Sequence, residues 1–349
     1  MRAMILKEFR ELRRDRRTLA MLFALPVVLL VIFGYAANFT IDSISTRVVG
    51  PAADQVAQVL PPLFDVQGTE PSATGDQARA LVRDGVADVV IDTSPAPPVA
   101  YVDGSSLFTA QTASAALGRG GDQVATEILF NPDLTTSWVM VPALVGLILT
   151  FVGTIITSIG LVRERQTGTL EQLAVMPLRP SDVIAGKIAP YFLLAAFDMV
   201  VVTLLGVWIF GVPFRGDPAL FALGAAVFLL VVLGLGVLIS TASQTQGQAI
   251  QVALMALLPQ VLLSGFIFPL QAMPAAIAWI GYCLPLTWFV TISQGIMLRG
   301  AGLDSLWPAF VVLGCMAVLV FGAAVLRFRR DLAPARRRRT PAGAEASTP

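Results

Sequence analysis

The 349-residue chain is 56% hydrophobic and only 13% charged, with a mean hydropathy of +0.75, whereas soluble domains carry about 25% charged residues. This composition excludes a soluble globular protein and reads as a polytopic membrane protein. The chain has no histidine, and its two cysteines, Cys283 and Cys315, are far apart; imidazole catalysis, imidazole metal sites and a disulfide framework are therefore excluded. The net charge of +1 is uninformative, but its distribution is not.

Six runs reach the roughly 20 residues that a helix needs to cross a hydrocarbon core: residues 19–37, 138–162, 188–210, 219–240, 249–268 and 308–326. With the N-terminus inside and sides alternating, residues 1–18, 163–187 and 327–349 are cytoplasmic and hold seven, four and seven Lys/Arg. Of the 24 basic residues, Arg47, Arg79, Arg83, Arg119, Arg215 and Arg299 fall outside. This asymmetry satisfies the positive-inside rule and would invert with an odd number of spans.

In chain order, residues 1–18 put Met1, Met4, Ile5, Phe9 and Leu12 on one side of a helix, with Arg and Lys largely elsewhere. That suits a helix lying along the inner leaflet; a plain basic flank that fixes topology is the alternative. The run that follows is longer than a signal-peptide core, so a retained signal anchor is the better reading. Residues 38–137 form the largest soluble part, with 12 Asp/Glu and four Arg. Within it, 75–83 reads as a helix, 86–91 and 99–102 as strands, Asp103-Gly104 as a turn and 107–117 as a helix. Alternating helices and strands predict a small α/β domain. Its acidity reads as a solvated surface, since no carboxylates have calcium-loop spacing.

Span two places Gly146, Thr150, Gly153, Thr157 and Gly160 on one face, with Thr154 and Ser158 beside them. Small residues let helices approach closely in lipid, and contact with a transported compound is the competing reading. Next comes RERQTGTLEQLAVMPLRPSDVIAGKIAP, residues 163–190, a charged and Pro-punctuated segment between two apolar runs. Residues 167–175 can form a short helix that Pro177 and Pro180 stop, and a charged membrane hairpin is the bland alternative. No P-loop is present: Ile188 follows Gly186-Lys187, and position 181 is Ser where the motif needs Gly. Leu263-Ser264-Gly265 superficially matches an ATPase signature loop but lies in an apolar span end.

Asp198 is the one ionisable residue well inside a span, 11 residues beyond Lys187 and so about 16 Å deep. A charge there costs about 2.5–3.5 kcal/mol on insertion scales. It either meets a cationic substrate or a proton, or stays protonated and hydrogen-bonds within the bundle. Span five opens with Gln244, Gln248 and Gln251 on one face, leading into Met255 and Leu258, with Gln260 nearly opposite and a kink expected at Pro259. A wall of a transport path and an interhelical hydrogen-bonding seam both fit. Residues 271–300 are largely apolar, but Pro274 and Pro285 leave only about ten residues between them, too few to cross. They read as a re-entrant hairpin on the outer face. The RRRR run at 336–339 and the small-residue tail that follows read as disordered. Basic clusters bind nucleic acid or, beneath a span, anionic lipid; the second is preferred, so no nucleic-acid partner is expected.

The segment at 163–190 resembles the membrane subunit of ABC-2 type exporters, drug and multidrug branch, on Glu164, Gly168, Thr169, Glu171, Leu173, Pro177, Gly186 and Lys187. So do LLSGFIFPLQAMPAAIAWIGYCLPLTWFVTISQGIMLRG, with Ser264, Gly265, Pro269, Pro274 and Pro285, and the insert sequence ARALVRDGVADVVID…VAYVDGSSLFTAQTASAAL. The resemblance implies an all-α polytopic permease with six transmembrane helices. It also implies a small α/β extracytoplasmic insert between spans one and two and a re-entrant segment before span six. It makes Glu164, Gly168, Thr169, Leu170, Glu171, Leu173 and Pro177 the coupling segment that docks on a cytoplasmic ABC ATPase, two copies per complex. ATP and Mg then belong to that partner, this chain binds no cofactor or metal, and a second permease subunit pairs with it. Thr154, Ser158, Asp198, Gln248 and Gln251 are the candidate translocation path. The expected substrate is an amphipathic or hydrophobic compound. Export of a polysaccharide or lipid-linked glycan is the first rival, disfavoured by the large insert, and a membrane sensor or immunity protein is the second.

Overall fold

The computed structural model describes residues 41–119, 124–167 and 180–332. The expected N-terminal helix, the first span at 19–37, most of the coupling segment and the tail beyond 332 lie outside the described residues.

The insert is a five-stranded α/β sandwich. Its elements are β1 (Ile44–Val49), α1 (Ala53–Val59), β2 (Phe64–Glu70), α2 (Gly75–Arg83), β3 (Val89–Asp92), β4 (Val99–Asp103), α3 (Leu107–Arg119) and β5 (Ala125–Leu129). The strand order is β2-β1-β3-β4-β5, parallel except between β3 and β4. Alternate side chains leave opposite faces of a strand. Val89 and Ile91 accordingly join the core under α1 and α3, with Ala53 and Ala110, while Val90 joins the core under α2, with Ala78 and Val82. Because both faces are covered, β3 (VVID), the central strand of the sheet, is buried throughout. The α2 helix starts on a capping box in which Thr74 and Gln77 satisfy each other's backbone N–H groups.

The remainder is helical: α4 (Thr136–Gln166), α5 (Pro180–Phe210), α6 (Pro218–Ala242), α7 (Gln246–Leu263), α8 (Ala275–Tyr282), α9 (Pro285–Gln294) and α10 (Leu303–Leu332). Five described helices are long and apolar enough to cross a membrane, or six if the bent pair Ala275–Tyr282 and Pro285–Arg299 is taken as one span. Outward faces stay apolar: Trp208 is 83% and Val318 74% exposed, which suits lipid or a partner chain and not water. The inner helix is α4, which packs on α5, α6, α7 and α9. A Cβ on Gly146 would come within 2.5 Å of Phe289 Cδ1, and one on Gly153 within 2.8 Å of Val232 Cγ1. The small seam of span two is thus where α9 and α6 come closest. Phe289 stacks on Phe228 of α6, with ring centroids 4.4 Å apart.

Local chemistry sets the element ends. Asp217 caps α6 by accepting from the Ala219 N–H at 2.7 Å, with Pro218 at the first helical position. The run expected at 249–268 ends early as a helix, at Leu263, because Gly265 takes φ +84°, the left-handed conformation that closes helices. The last span starts at Leu303, before the expected 308: Pro308 falls inside the helix, past its first turn, where it removes the N–H that would bond Asp304 O. The pair α8 and α9 bends by 77° at the break between Tyr282 and Pro285. Thr287 Oγ1 donating to Gly281 O (2.6 Å) and Trp288 Nε1 donating to Tyr282 O (2.8 Å) hold that bend. A π-helical turn, Gly295–Arg299, follows α9 and ends at Gly300, φ +65°.

Candidate functional site

Two ends of the bundle carry organised polar chemistry. At the end distant from the insert, α4 stops at Gln166 and its final turn is fastened to the α6–α7 connection. Arg165 Nη1 donates to Ser240 O (3.1 Å) and Ser243 O (3.2 Å). Gln166 Nε2 donates to Gln244 O (3.4 Å), and Gln246 Nε2 donates to Gln166 Oε1 (3.1 Å). The carbonyls at the end of α6 have no intrahelical partners, so an arginine is well placed to satisfy them. Of the expected coupling residues, the described one is Glu164, half-buried and engaged by a partner. Gly168, Thr169, Leu170, Glu171, Leu173 and Pro177 lie outside the described residues.

Between the ends lie the candidate path residues. Thr154 and Ser158 are buried on α4; Ser158 Oγ donates back to Ile155 O at 3.0 Å. Thr157 abuts Gly236 of α6. Gln248 belongs to the start of α7: its N–H donates to the capping Thr245 Oγ1 (3.2 Å) and its Oε1 accepts from the Gln244 N–H (3.0 Å). Buried side-chain atoms without a hydrogen-bond partner among the described residues include Thr154 Oγ1, Thr157 Oγ1, Asp198 Oδ2 and Gln251 Oε1.

The insert meets the bundle at the other end. Asn131, fully buried, ties β5 to α4: its Oδ1 accepts from the Thr135 N–H (2.8 Å), and its Nδ2 donates to Thr135 O (3.1 Å) and Gly104 O (3.4 Å). Flanking it, Phe130 (φ 69°) and Leu134 (φ 48°) hold positive φ, an unfavourable conformation for side chains of this size. Arg215 Nη1 bridges the two parts, donating to Phe130 O (2.9 Å) and Leu298 O (2.8 Å). Arg299 Nη1 reaches Asp103 Oδ2 at 3.5 Å, with both side chains largely buried. Beside these ties lies a cavity of about 450 Å³ whose lining includes Ser264, Gly265 and Pro269 of the expected hairpin motif. Pro274 and Pro285 start α8 and α9.

Sequence reading missed Arg165, Asn131, Arg215 and Arg299. It also took the insert's acids for a solvated face, yet Asp92 and Asp103 are 3% and 4% exposed. Asp103 sits in the Asp103-Gly104 turn and accepts from the Ser105 N–H at 2.8 Å. The available signal was the scarcity of arginine outside the basic flanks: Arg215 and Arg299, the two beyond the insert, both join the insert to the bundle.

The family described as "ABC-2 family transporter protein" matches residues 16–326. Among similar proteins, "Probable multidrug ABC transporter permease YbhS" of Escherichia coli (strain K12) is 30% identical, over 95% of this chain and 97% of the relative. "Probable multidrug ABC transporter permease YbhR" of the same organism is 28% identical over 94% and 98%. "Inner membrane transport permease YhhJ", also from that strain, is 34% identical over 59% of this chain and 56% of the relative.

Proposed function

Because this chain belongs to the ABC-2 transporter family, we propose that it is the permease subunit of an ATP-driven exporter that moves an amphipathic or hydrophobic compound, a drug or a lipid, out of the cell. Two full-length relatives named as probable multidrug permeases support that substrate class. ATP and Mg bind a separate ABC ATPase, in two copies, and a second permease subunit completes the path. The insert and the 271–300 hairpin face outward, and both termini face the cytoplasm, as the distribution of basic residues requires.

The observation that carries the mechanism is the fastening of the α4 end to the α6–α7 connection through Arg165 and Gln166. Glu164 of the coupling segment lies in that turn, and the short helix expected at 167–175 follows it directly. Closure of the ATPase pair displaces the segment, and the fastened end makes α4, α6 and α7 answer together instead of α4 fraying alone. Asp198, half-buried with Oδ2 unpaired, adds a polar point within the bundle.

The test is reconstitution with the ATPase in inside-out vesicles. ATP-dependent uptake of a fluorescent amphipath is expected, and it should vanish with a hydrolysis-dead ATPase. Glu171→Lys should release the ATPase or uncouple hydrolysis from uptake while the permease still inserts. Normal association and normal uptake in that variant would overturn the coupling role.

A further inference from the structure

The cavity at the junction of insert and bundle has a mixed lining. It combines apolar side chains, Phe108, Val139, Met140 and Leu270, with polar ones, Asp88, Asp103, Ser105 and Gln111. At about 450 Å³ it falls within the range of pockets that hold drug-sized molecules. Three charged side chains line it, Asp88, Asp103 and Arg299, which leaves one net negative charge.

Arg299 is committed. It pairs with Asp103, and it is wedged under two glycines, where a Cβ on Gly85 would lie 2.7 Å from Nη1 and one on Gly295 3.2 Å from Nη2. Asp88 has no ion pair within 4.0 Å among the described residues. Burial, and then the neighbouring Asp103, push its carboxyl up to about 6, and the Ser45 backbone and Arg299 offset this only in part. Independently, Ser264 is 2% exposed, lines the cavity, and its Oγ has no hydrogen-bond partner among the described residues. Buried hydroxyls are normally satisfied, so this one is available to an occupant.

We propose that this cavity binds an amphipathic molecule bearing a positive charge, with Asp88 as counter-ion, Ser264 as hydrogen-bonding partner and the apolar side chains, Phe108 and Met140 among them, against the apolar body. The site deepens the exporter reading and rests on it for its place on the outward route. A neutral compound of the same shape gains the apolar side chains and the Ser264 hydroxyl but no counter-ion, so the carboxylate discriminates by charge.

The test uses the full chain in nanodiscs of zwitterionic lipid, with radiolabelled methyltriphenylphosphonium as the cation and triphenylphosphine oxide as its neutral counterpart, each corrected for empty nanodiscs. Asp88→Asn should weaken cation binding at least tenfold and leave the neutral probe unchanged. Lowering the pH from 7.5 to 5 should weaken the wild type in the same way and leave the Asn variant unmoved. Gln111→Trp, at an exposed position on the cavity wall, should weaken both probes by blocking entry. The site is overturned if the wild type binds neither probe, if Asp88→Asn retains full cation affinity, or if Gln111→Trp weakens neither. Adding the ATPase separates the two readings. Asp88-dependent binding without ATP-driven export sinks the exporter and keeps the site; export without Asp88-dependent binding does the reverse.

Discussion

Replacing Arg165 with Met keeps an unbranched apolar stem, shorter than the arginine, and removes the charge and donors. One Nη1 serves both Ser240 O and Ser243 O, at 3.1 and 3.2 Å, so it counts as one shared bond, not two. A hydrogen bond involving a charged group contributes about 1.5–3 kcal/mol, and a cation at a helix C-terminus adds about 0.3–1 kcal/mol. The loss is therefore roughly 2–4 kcal/mol, a factor of about 30–700 in the population of the fastened arrangement. The assay is substrate moved per ATP hydrolysed in reconstituted vesicles, together with co-purification of the ATPase. That ratio should fall at least tenfold while co-purification is unchanged. Arg165→Lys should recover part of it, since a point charge reaches a carbonyl without the guanidinium fork. If Met transports with wild-type stoichiometry, the fastening does not transmit motion. If Lys is as poor as Met and both lower the amount of folded permease, the role is merely structural.

Asn131→Ala removes three buried hydrogen bonds at the junction and should cost roughly 2–4 kcal/mol; a melting midpoint unchanged within a degree would refute that. Asp88 has its folded value raised to about 6 from 3.8, so the folded state takes up a proton more readily than the unfolded one. Its contribution is fully present below about pH 4 and is lost as pH rises through 6, an effect of up to about 3 kcal/mol. Asp88→Asn should accordingly raise the melting midpoint at pH 7.5 and not at pH 4, and an equal gain at both would refute the assignment. Asp198→Asn should preserve transport and Asp198→Leu should impair it at matched membrane abundance, because Leu strands polar partners. Loss of cation export alone in the Asn protein would make the carboxylate a substrate contact.

Long apolar runs were readable because a bilayer demands about 20 residues of one character, and 188–210 coincides with the apolar stretch of α5. The α2 helix was read at the bounds it takes, 75–83. In contrast, β1, β2 and β5 were missed, although Gly50-Pro51, Pro61-Pro62 and Pro71 punctuate the first two: ISTRVV and FDVQGTE carry polar residues throughout, and the partners that make them strands are distant in sequence. The joining residues were illegible for a related reason. Arg215 and Arg299 are each unremarkable where they stand, and acquire partners only when segments some 80 or more residues apart meet, as Arg215 and Phe130 do; Asn131 reaches only the nearer Gly104 and Thr135, but a lone loop asparagine carries no signal of either bond.

The 31-residue α4, at 1.5 Å per residue, is about 46 Å long, and it is gripped at both tips, by the Asn131 clamp and by Arg165 and Gln166. Gly153, seated against Val232, lies nearer the Arg165 tip. A rigid rod held this way is a lever with unequal arms, about 26 Å toward Thr136 and about 20 Å toward Gln166. A rotation of about 5° around that fulcrum would carry the long arm roughly 2 Å, and that arm bears Val139 and Met140, part of the cavity wall. A swing smaller than the scatter of ordinary helix crossing angles thus amplifies a displacement at one face of the membrane into a change of aperture at the other.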